Sequence, residues 1–256
     1  MIQRIVLISA LLSLCLACCS GSRSRVEVEP TDRLAQADGL AERGDCRKAI
    51  LKYEELLAEF PPPEIAERAR FNRTRCRVEL EDYDLAINEF EDYIDSYPQG
   101  DLVDDAMYMI GIAYLRQSPR AERDQTYTEK AASELEFMLR EYPESNVRQE
   151  AEAALAEARA KLARKEYLNG KLYLNMEYFR AARICFDLVI NEYSDTEWAA
   201  WSLLGKAQTY DREGNTGKAL ELYNKVLDDY PDTEPYGRAG MRIDQISSGD
   251  ENDEEE

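Results

Sequence analysis

The chain has 256 residues, of which 52 are acidic and 32 are basic, so its formal net charge at pH 7 is −20. It contains no histidine, which excludes Ser-His-Asp and Cys-His triads, His-ligated zinc and an imidazole general base. The negative charge argues against a nucleic-acid-binding protein, because affinity for a duplex comes mainly from clustered cations. The composition is that of a globular helical chain, for which we expect no enzymatic activity, no cofactor and no metal site.

The first 18 residues resemble a secretory signal, with one positive charge followed by an apolar run of about a dozen residues. Residues 16–21, Leu-Ala-Cys-Cys-Ser-Gly, then resemble a bacterial lipobox, in which a cysteine becomes the acylated first residue of the mature protein. Cys19 fits that position best and Cys18 is the alternative, while a cleaved signal without a lipid also stays open. We expect residues 1–18 to be a lipoprotein signal peptide and residues 19–30 to be a flexible tether from the lipidated cysteine.

One pattern recurs five times in the predicted folded domain, residues 31–246. An alanine is followed four residues later by an aromatic residue or Leu, and seven residues after that by another aromatic residue. The copies are Ala49/Tyr53/Phe60, Ala86/Phe90/Tyr97, Ala131/Leu135/Tyr142, Ala182/Phe186/Tyr193 and Ala219/Tyr223/Tyr230. This spacing puts the three side chains near one helical face, and the proline that usually follows ends the helix. The pattern resembles the tetratricopeptide repeat and predicts an all-α solenoid of about five helix-turn-helix units.

The five alanines are separated by 37, 45, 51 and 37 residues, so two intervals are long. The first long interval contains an insertion, 116–127, between the two helices of unit three. The second contains residues 146–164, rich in Ala, Glu and Arg, which predict an extended helix between units three and four. At the other end, the six acids among the last seven residues predict a disordered acidic tail over 247–256.

The first helix of unit two is unusually rich in arginine for an acidic protein. Guanidinium groups bind carboxylates bidentately, which favours a peptide-binding patch. Ion pairs with nearby acids such as Glu54 and Glu79 are the alternative. Two aromatic side chains at corresponding positions of first helices are candidates to stack on a bound peptide, with core packing as the alternative. The predicted peptide-binding residues are Arg68, Phe71, Arg73, Arg75, Arg77 and Tyr108.

The whole order of features resembles the BamD family, the lipoprotein subunits of the outer-membrane β-barrel assembly machine. The matching features are the lipobox, five repeats, an insertion with Arg-Asp-Gln-Thr at 123–126 and an extended helix ending at 162–166. The resemblance implies a lipid-anchored adaptor on the periplasmic face of the outer membrane. It implies C-terminal repeats that contact a BamA-like β-barrel subunit, other assembly lipoproteins as partners, and N-terminal repeats that hold unfolded outer-membrane protein precursors. Another envelope tetratricopeptide lipoprotein, for pilus biogenesis or cell-wall coordination, is the alternative, which usually has more uniform repeats.

Three cysteines lie outside the signal and lipobox. Cys46 opens the second helix of unit one, and Cys76 lies late in the first helix of unit two. These helices are predicted to be antiparallel neighbours joined near Pro61, midway between the two cysteines. We therefore predict a Cys46–Cys76 disulfide in an oxidising periplasm, with two small buried thiols as the alternative. Cys185 has no partner and is predicted to be a buried core thiol.

Overall fold

A computed structural model describes residues 29–253 of the chain. The predicted signal peptide, the lipidation site at Cys19 or Cys18 and nearly all of the tether lie outside the described residues. Between residues 29 and 253 the secondary structure consists of eleven α-helices. They are α1 Pro30–Glu42, α2 Cys46–Leu57, α3 Pro63–Glu79, α4 Tyr83–Ser96, α5 Val103–Gln117, α6 Thr126–Glu141, α7 Arg148–Asn175, α8 Phe179–Glu192, α9 Trp198–Arg212, α10 Thr216–Asp229 and α11 Glu234–Asp253. No helix in this part of the chain combines the length and the apolar character that crossing a bilayer requires.

The first ten helices pair in sequence into five helix-turn-helix units, and α11 packs against α10 at the end. In four units the turn uses a left-handed residue two positions before the second helix: Gly44, Glu81, Glu177 and Gly214. The next residue then donates its N–H to a carbonyl of the first helix, as Asp45 does to Leu40 at 2.9 Å and Asn215 to Tyr210 at 2.8 Å. Glycine adopts this conformation without steric cost, whereas the two glutamates adopt it with a small steric penalty.

The buried core follows the recurring pattern. Each of the five alanines is fully buried, and each large residue four positions later is at most 1% exposed. Second helices thus pack their small and large side chains against the first helix of the same unit and of the next. In units two to five the last aromatic residue is half-buried at the helix end. The structure is therefore the predicted tetratricopeptide-like solenoid.

Unit one departs from the pattern at its last position. Phe60 is 94% exposed with φ 53°, so the prediction that it lies on the shared helical face is wrong. Helix α2 ends at Leu57, whereas the second helices of the other units end directly before their aromatic residue. Helix α3 begins at Pro63, so an α2 that ended directly before Phe60 would leave only Phe60, Pro61 and Pro62 to make the connection. Helix α2 therefore ends two residues earlier than the pattern of the other units would give, and Phe60 points outward.

Two predicted boundaries also change. The extended helix is present, but it is α7 itself, a 28-residue helix that also serves as the first helix of unit four. At the C-terminus, α11 continues to Asp253, so the prediction of a disordered tail from residue 247 is wrong for residues 247–253. Ile243 and Ile246 pack against the core of unit five, which anchors this helix and lets its backbone continue into the acidic segment.

The packing of successive units determines the curvature. Each first helix contacts the first helix of the next unit, as α3 contacts α5 and α7 contacts α9. Within residues 29–253, successive second helices make no such contacts. The first helices therefore line the inner, concave face, and the second helices lie on the outer face.

Candidate functional site

A groove runs along the inner face across the first helices of units two to five. It contains a cavity of about 240 Å³ between α3, α5 and α7. A second cavity, of about 640 Å³, lies between the insertion of unit three, α7 and the start of α9. Glu157 of α7 lines both cavities, so they adjoin. We call this continuous surface the inner groove.

The first cavity has an apolar floor and a charged rim. Its lining consists of Arg75, Glu79, Tyr108, Met109, Ile112, Leu115, Arg116 and Glu157. On the rim, Arg116 donates to Glu79 across 2.9 Å. Arg75 on the same rim is exposed to solvent. Burial raises the pKa of Tyr108, so its hydroxyl stays protonated and can donate a hydrogen bond. An apolar floor with arginines on its edge suits an extended peptide that carries apolar side chains and carboxylates.

The insertion of unit three forms one wall of the second cavity, and two lysines of α7 hold it there. Lys161 Nζ donates to the carbonyl oxygen of Ser118 at 3.0 Å and also to its hydroxyl. Lys165 Nζ donates to the carbonyl oxygens of Glu122 at 3.3 Å and of Arg123 at 3.0 Å. Burial lowers the pKa of Lys161. Because several carbonyl groups of the loop are bound to one helix, the loop is a fixed wall of the groove.

A buried amide closes the insertion upon itself. Gln125 is only 5% exposed, and its Nε2 donates to the carbonyl oxygen of Arg120 at 2.8 Å and to those of Arg123 and Asp124 at 3.2 Å. Its Oε1 accepts a hydrogen bond from Thr128 at 2.7 Å. One buried side chain thus bonds to three carbonyl groups of the loop and to the helix that follows it. The insertion is consequently compact.

The second cavity combines an aromatic face with basic groups. Arg164 lies over the ring of Trp198, with 5.8 Å between the guanidinium carbon and the ring centroid. Arg164 also contacts Glu122 at 3.3 Å, and Arg120 and Lys161 line the same cavity. The lining also contains Glu122, Glu157 and Glu197, so the cavity offers an aromatic face for stacking between basic and acidic groups.

The structure separates the predicted arginine patch into three environments. Arg73 and Arg77 both contact Glu89 of α4, at 3.2 and 2.9 Å, and Arg77 also contacts Glu54 of α2 at 3.4 Å. These two arginines link α2, α3 and α4 and lie outside the groove lining, so the ion-pair alternative describes them. Arg68 is exposed. Among the predicted arginines, Arg75 lines the groove.

The two predicted aromatic residues also differ from each other. Phe71 is 5% exposed and packs against Phe90 and Tyr93, with ring centroids 5.6 and 5.9 Å apart. Its predicted role in stacking on a peptide is therefore wrong for this structure, since its ring belongs to the core. Tyr108 is half-buried and lines the first cavity beside Arg75. Of the six predicted residues, the structure brings Arg75 and Tyr108 together in the groove.

Most of the groove residues were not predicted from the sequence. Ile112, Leu115 and Arg116 of α5 follow Tyr108 at helical spacing, which is the signal that was available in the sequence. Lys161 and Trp198 gave no signal of this kind, because they meet the groove only through the packing of α7 and α9 on the insertion.

The cysteines of units one and two lie side by side, as the sequence predicts. Cys46 and Cys76 are both buried, at 6% and 2% exposure, and belong to the same core cluster between α2 and α3. Both are free thiols, so the predicted bridge is not formed in this structure. Cys185 is half-buried rather than fully buried, and its thiol is also free. Over residues 29–253, no group of three or more metal-binding side chains comes together.

Comparison with known proteins gives a family match over most of the chain. The model of a family described as "YfiO: Outer membrane lipoprotein" matches residues 27–225. A Vibrio cholerae protein named outer membrane protein assembly factor BamD is 24% identical over 226 residues, covering 84% of this chain and 93% of that protein. The protein of the same name from Pasteurella multocida is 23% identical over 214 residues, covering 79% of this chain and 82% of the relative.

Solved structures with tetratricopeptide repeats are similar to this chain at low identity. The TPR2AB domain of yeast Sti1, solved in a pHSP90 complex, is 17% identical with a TM-score of 0.43, covering 86% of each chain. A thermophilic TPR protein of Thermus thermophilus is 20% identical with a TM-score of 0.38, covering 84% of this chain and 98% of its own.

Proposed function

The chain belongs to the YfiO family of outer membrane lipoproteins, and we propose that it is the lipid-anchored adaptor of a β-barrel assembly complex on the periplasmic face of the outer membrane. The relatives that bear the name BamD are outer membrane protein assembly factors, and their similarity extends over four fifths of this chain. The proposal has two parts. The inner groove binds unfolded outer-membrane protein precursors, and the C-terminal units bind the barrel-forming subunit.

The observation that carries the first part is the chemistry of the inner groove. An extended precursor segment offers carboxylates and aromatic side chains. The groove offers Arg75 and Arg116 above an apolar floor, and Trp198 beside Arg164. Guanidinium groups add charge-assisted hydrogen bonds, and the floor buries apolar side chains.

Exposed apolar side chains support the second part. At the far end of α7, in the turn that follows it and on α8, large apolar residues remain accessible to solvent to between 37% and 63%. They are Leu172, Tyr173, Met176, Tyr178, Ile184 and Leu188. Large apolar groups gathered on one unit are typical of protein–protein contact surfaces. We assign the part of this surface that lies on α8, on the outer side of unit four, and the turn beside it to the barrel-forming subunit.

The test of the groove is peptide binding by the purified periplasmic domain. A fluorescent peptide with the C-terminal sequence of an outer-membrane barrel protein, aromatic at its last residue, is titrated into the wild-type protein. Replacing both Arg75 and Arg116 with Ala removes two charged contacts, so we expect binding to weaken about tenfold or more. Arg68→Ala is the matched control, because Arg68 is exposed on the same helix as Arg75 and outside the groove lining.

Equal peptide affinity in the double variant and the Arg68→Ala control would contradict the groove assignment. The second part is tested separately by affinity purification from solubilised envelopes. Recovery of a β-barrel subunit with the wild-type protein, and its loss in Ile184→Asp, is the expected result. Recovery of pilus or cell-wall proteins without a barrel subunit would favour the alternative function.

A further inference from the structure

We propose that Cys46 and Cys76 form a native disulfide that clamps the first repeat, the one that carries the tether, to the second. The proposal rests on the proposed function in one respect, because the bridge requires an oxidising compartment such as the periplasm. In all other respects it rests on the positions of the two side chains.

The geometry places the two thiols together at the junction of two units. Cys46 is the first residue of α2 and Cys76 lies in the last turn of α3, two antiparallel helices that pack against each other. Both side chains belong to one buried cluster, which includes Ala49 and Tyr53 of α2 and Ala69 of α3. Cys46 is also among the causes that raise the pKa of the Cys76 thiol, as expected for two sulfur atoms that are neighbours at this junction.

The bridge would stabilise unit one, the unit with the fewest contacts to neighbouring units. Unit one is the first unit of the described solenoid, and it packs on one side only, through the contacts of α1 and α2 with α3. Repeat solenoids are stabilised by contacts between neighbouring units, so a terminal repeat with one neighbour opens more readily than an internal one. A covalent link between α2 and α3 keeps α1 and α2 from separating from α3. A force applied through the tether would then be transmitted to the rest of the solenoid.

The redox step requires an oxidant, and a dithiol oxidoreductase in its disulfide form supplies the chemistry. One cysteine thiolate attacks a sulfur of the oxidant, which forms a mixed disulfide and releases one oxidant thiolate. The second cysteine thiolate attacks the protein sulfur of that mixed disulfide, closes the Cys46–Cys76 bond and releases the other oxidant thiolate. Two protons pass from the cysteines to the released thiolates, and two electrons reduce the oxidant.

Burial determines when this reaction occurs. Desolvation and the neighbouring Cys46 raise the pKa of the Cys76 thiol above its ordinary range, so little thiolate exists in the folded core. The bridge therefore forms while the chain is still folding, and once enclosed it resists reduction. Oxidation of the folded, reduced protein is expected to be slow for the same reason.

The test combines peptide mapping with hydrogen exchange. The full-length protein is purified from envelopes with free thiols blocked at lysis and is mapped by mass spectrometry without reduction. In parallel, the denatured periplasmic domain is refolded in a mixture of reduced and oxidised glutathione and mapped in the same way. Amide exchange of residues 30–57 is then compared between the bridged protein, the reduced protein and the Cys46→Ala/Cys76→Ala variant, with Cys185→Ala as the control.

We expect a Cys46–Cys76 peptide in both preparations, and exchange in residues 30–57 at least tenfold faster after reduction, with Cys185→Ala unchanged. Free thiols after refolding in glutathione would overturn the proposal on geometric grounds. A bridge that forms in glutathione but is absent from the envelope protein would overturn its claim to be native. Flotation of the envelope protein with membranes tests the lipid anchor separately. A failure of the disulfide proposal can therefore be distinguished from a failure of the proposed function.

Discussion

Phe186 packs against two glycines that come from different helices. A β-carbon added at Gly170 of α7 would lie 2.6 Å from the ring, and one added at Gly205 of α9 would lie 2.5 Å from it. Phe186 is 1% exposed, so its ring has no free space into which it can move. The absence of a side chain at these two positions is what lets α7, α8 and α9 approach one another.

We therefore expect Gly205→Ala to destabilise the protein by about 1–3 kcal/mol, because it overpacks a full core. Gly237→Ala is the matched control, since it makes the same change in a helix where nothing lies within 4 Å of the new methyl group. Alanine favours the helix there, and stability should stay equal or rise slightly. Urea denaturation measures both variants, and equal midpoints for the two would contradict this account of the packing.

Arg77 is a structural residue in this account. It contacts Glu89 and Glu54, and Thr74 donates a further hydrogen bond to Glu89 at 3.0 Å. Replacing Arg77 with Ala leaves the half-buried Glu89 with one arginine, so we expect a loss of about 1–3 kcal/mol in unfolding free energy. Peptide affinity should stay as in the wild type. Weaker peptide binding at unchanged stability would instead show that Arg77 takes part in peptide binding, as the sequence predicts.

At the scale of elements, the insertion of unit three depends on Lys161. Replacing Lys161 with Met keeps the length of the side chain but removes the donor to Ser118. We expect faster amide exchange in residues 118–125 and weaker binding of peptides that reach the second cavity. Lys171→Met is the control, because Lys171 is exposed on the same helix. Unchanged exchange in the insertion would show that Lys165 and Gln125 hold the loop without Lys161.

The last helix has its own ionic attachment. Asp211 of α9 accepts hydrogen bonds from Arg242 of α11 at 2.6 and 2.9 Å and from Tyr223 at 3.0 Å. The Arg242 guanidinium and the Tyr223 hydroxyl hold the pKa of Asp211 below its ordinary range. A carboxylate with a lowered folded pKa contributes stability that is present at neutral pH and is lost as the pH falls through that folded value.

The attachment of α11 is therefore expected to weaken only below about pH 4, the ordinary range for aspartate. Asp211→Asn removes the charge at every pH, so amide exchange in α11 should be faster at pH 7 and should depend less on pH in the acid range. A variant that exchanges as the wild type does at pH 7 would show that apolar packing of Ile243 and Ile246 is sufficient.

The sequence predicts the elements well because their determinants are local. Ala86 and Phe90 lie on one helical face and Pro98 follows the helix end, so a short stretch of sequence contains the information. The groove could not be predicted in this way. Whether Arg75 or Arg77 points inward depends on how α3 is rotated against α2 and α4, and that rotation is set by contacts such as those with Glu54 and Glu89.

The whole molecule is a curved scaffold whose inner and outer faces differ in chemistry. The inner groove combines arginines, an apolar floor and the fixed wall of the insertion. The outer surface of unit four exposes apolar side chains, and unit one is placed nearest the tether. These are the two faces that our proposal assigns to an extended precursor segment on the inside and to the barrel-forming subunit on the outside.

The most direct measurement of the central claim is site-specific photo-crosslinking in growing cells. A photoreactive phenylalanine analogue is placed at Ile112, in the floor of the inner groove, and separately at Leu51, which is 58% exposed on the second helix of unit one. We expect covalent adducts with unfolded outer-membrane barrel precursors from position 112 and few or none from position 51. Equal adducts from both positions, or no precursor adduct from position 112, would contradict the assignment of the inner groove to precursor binding.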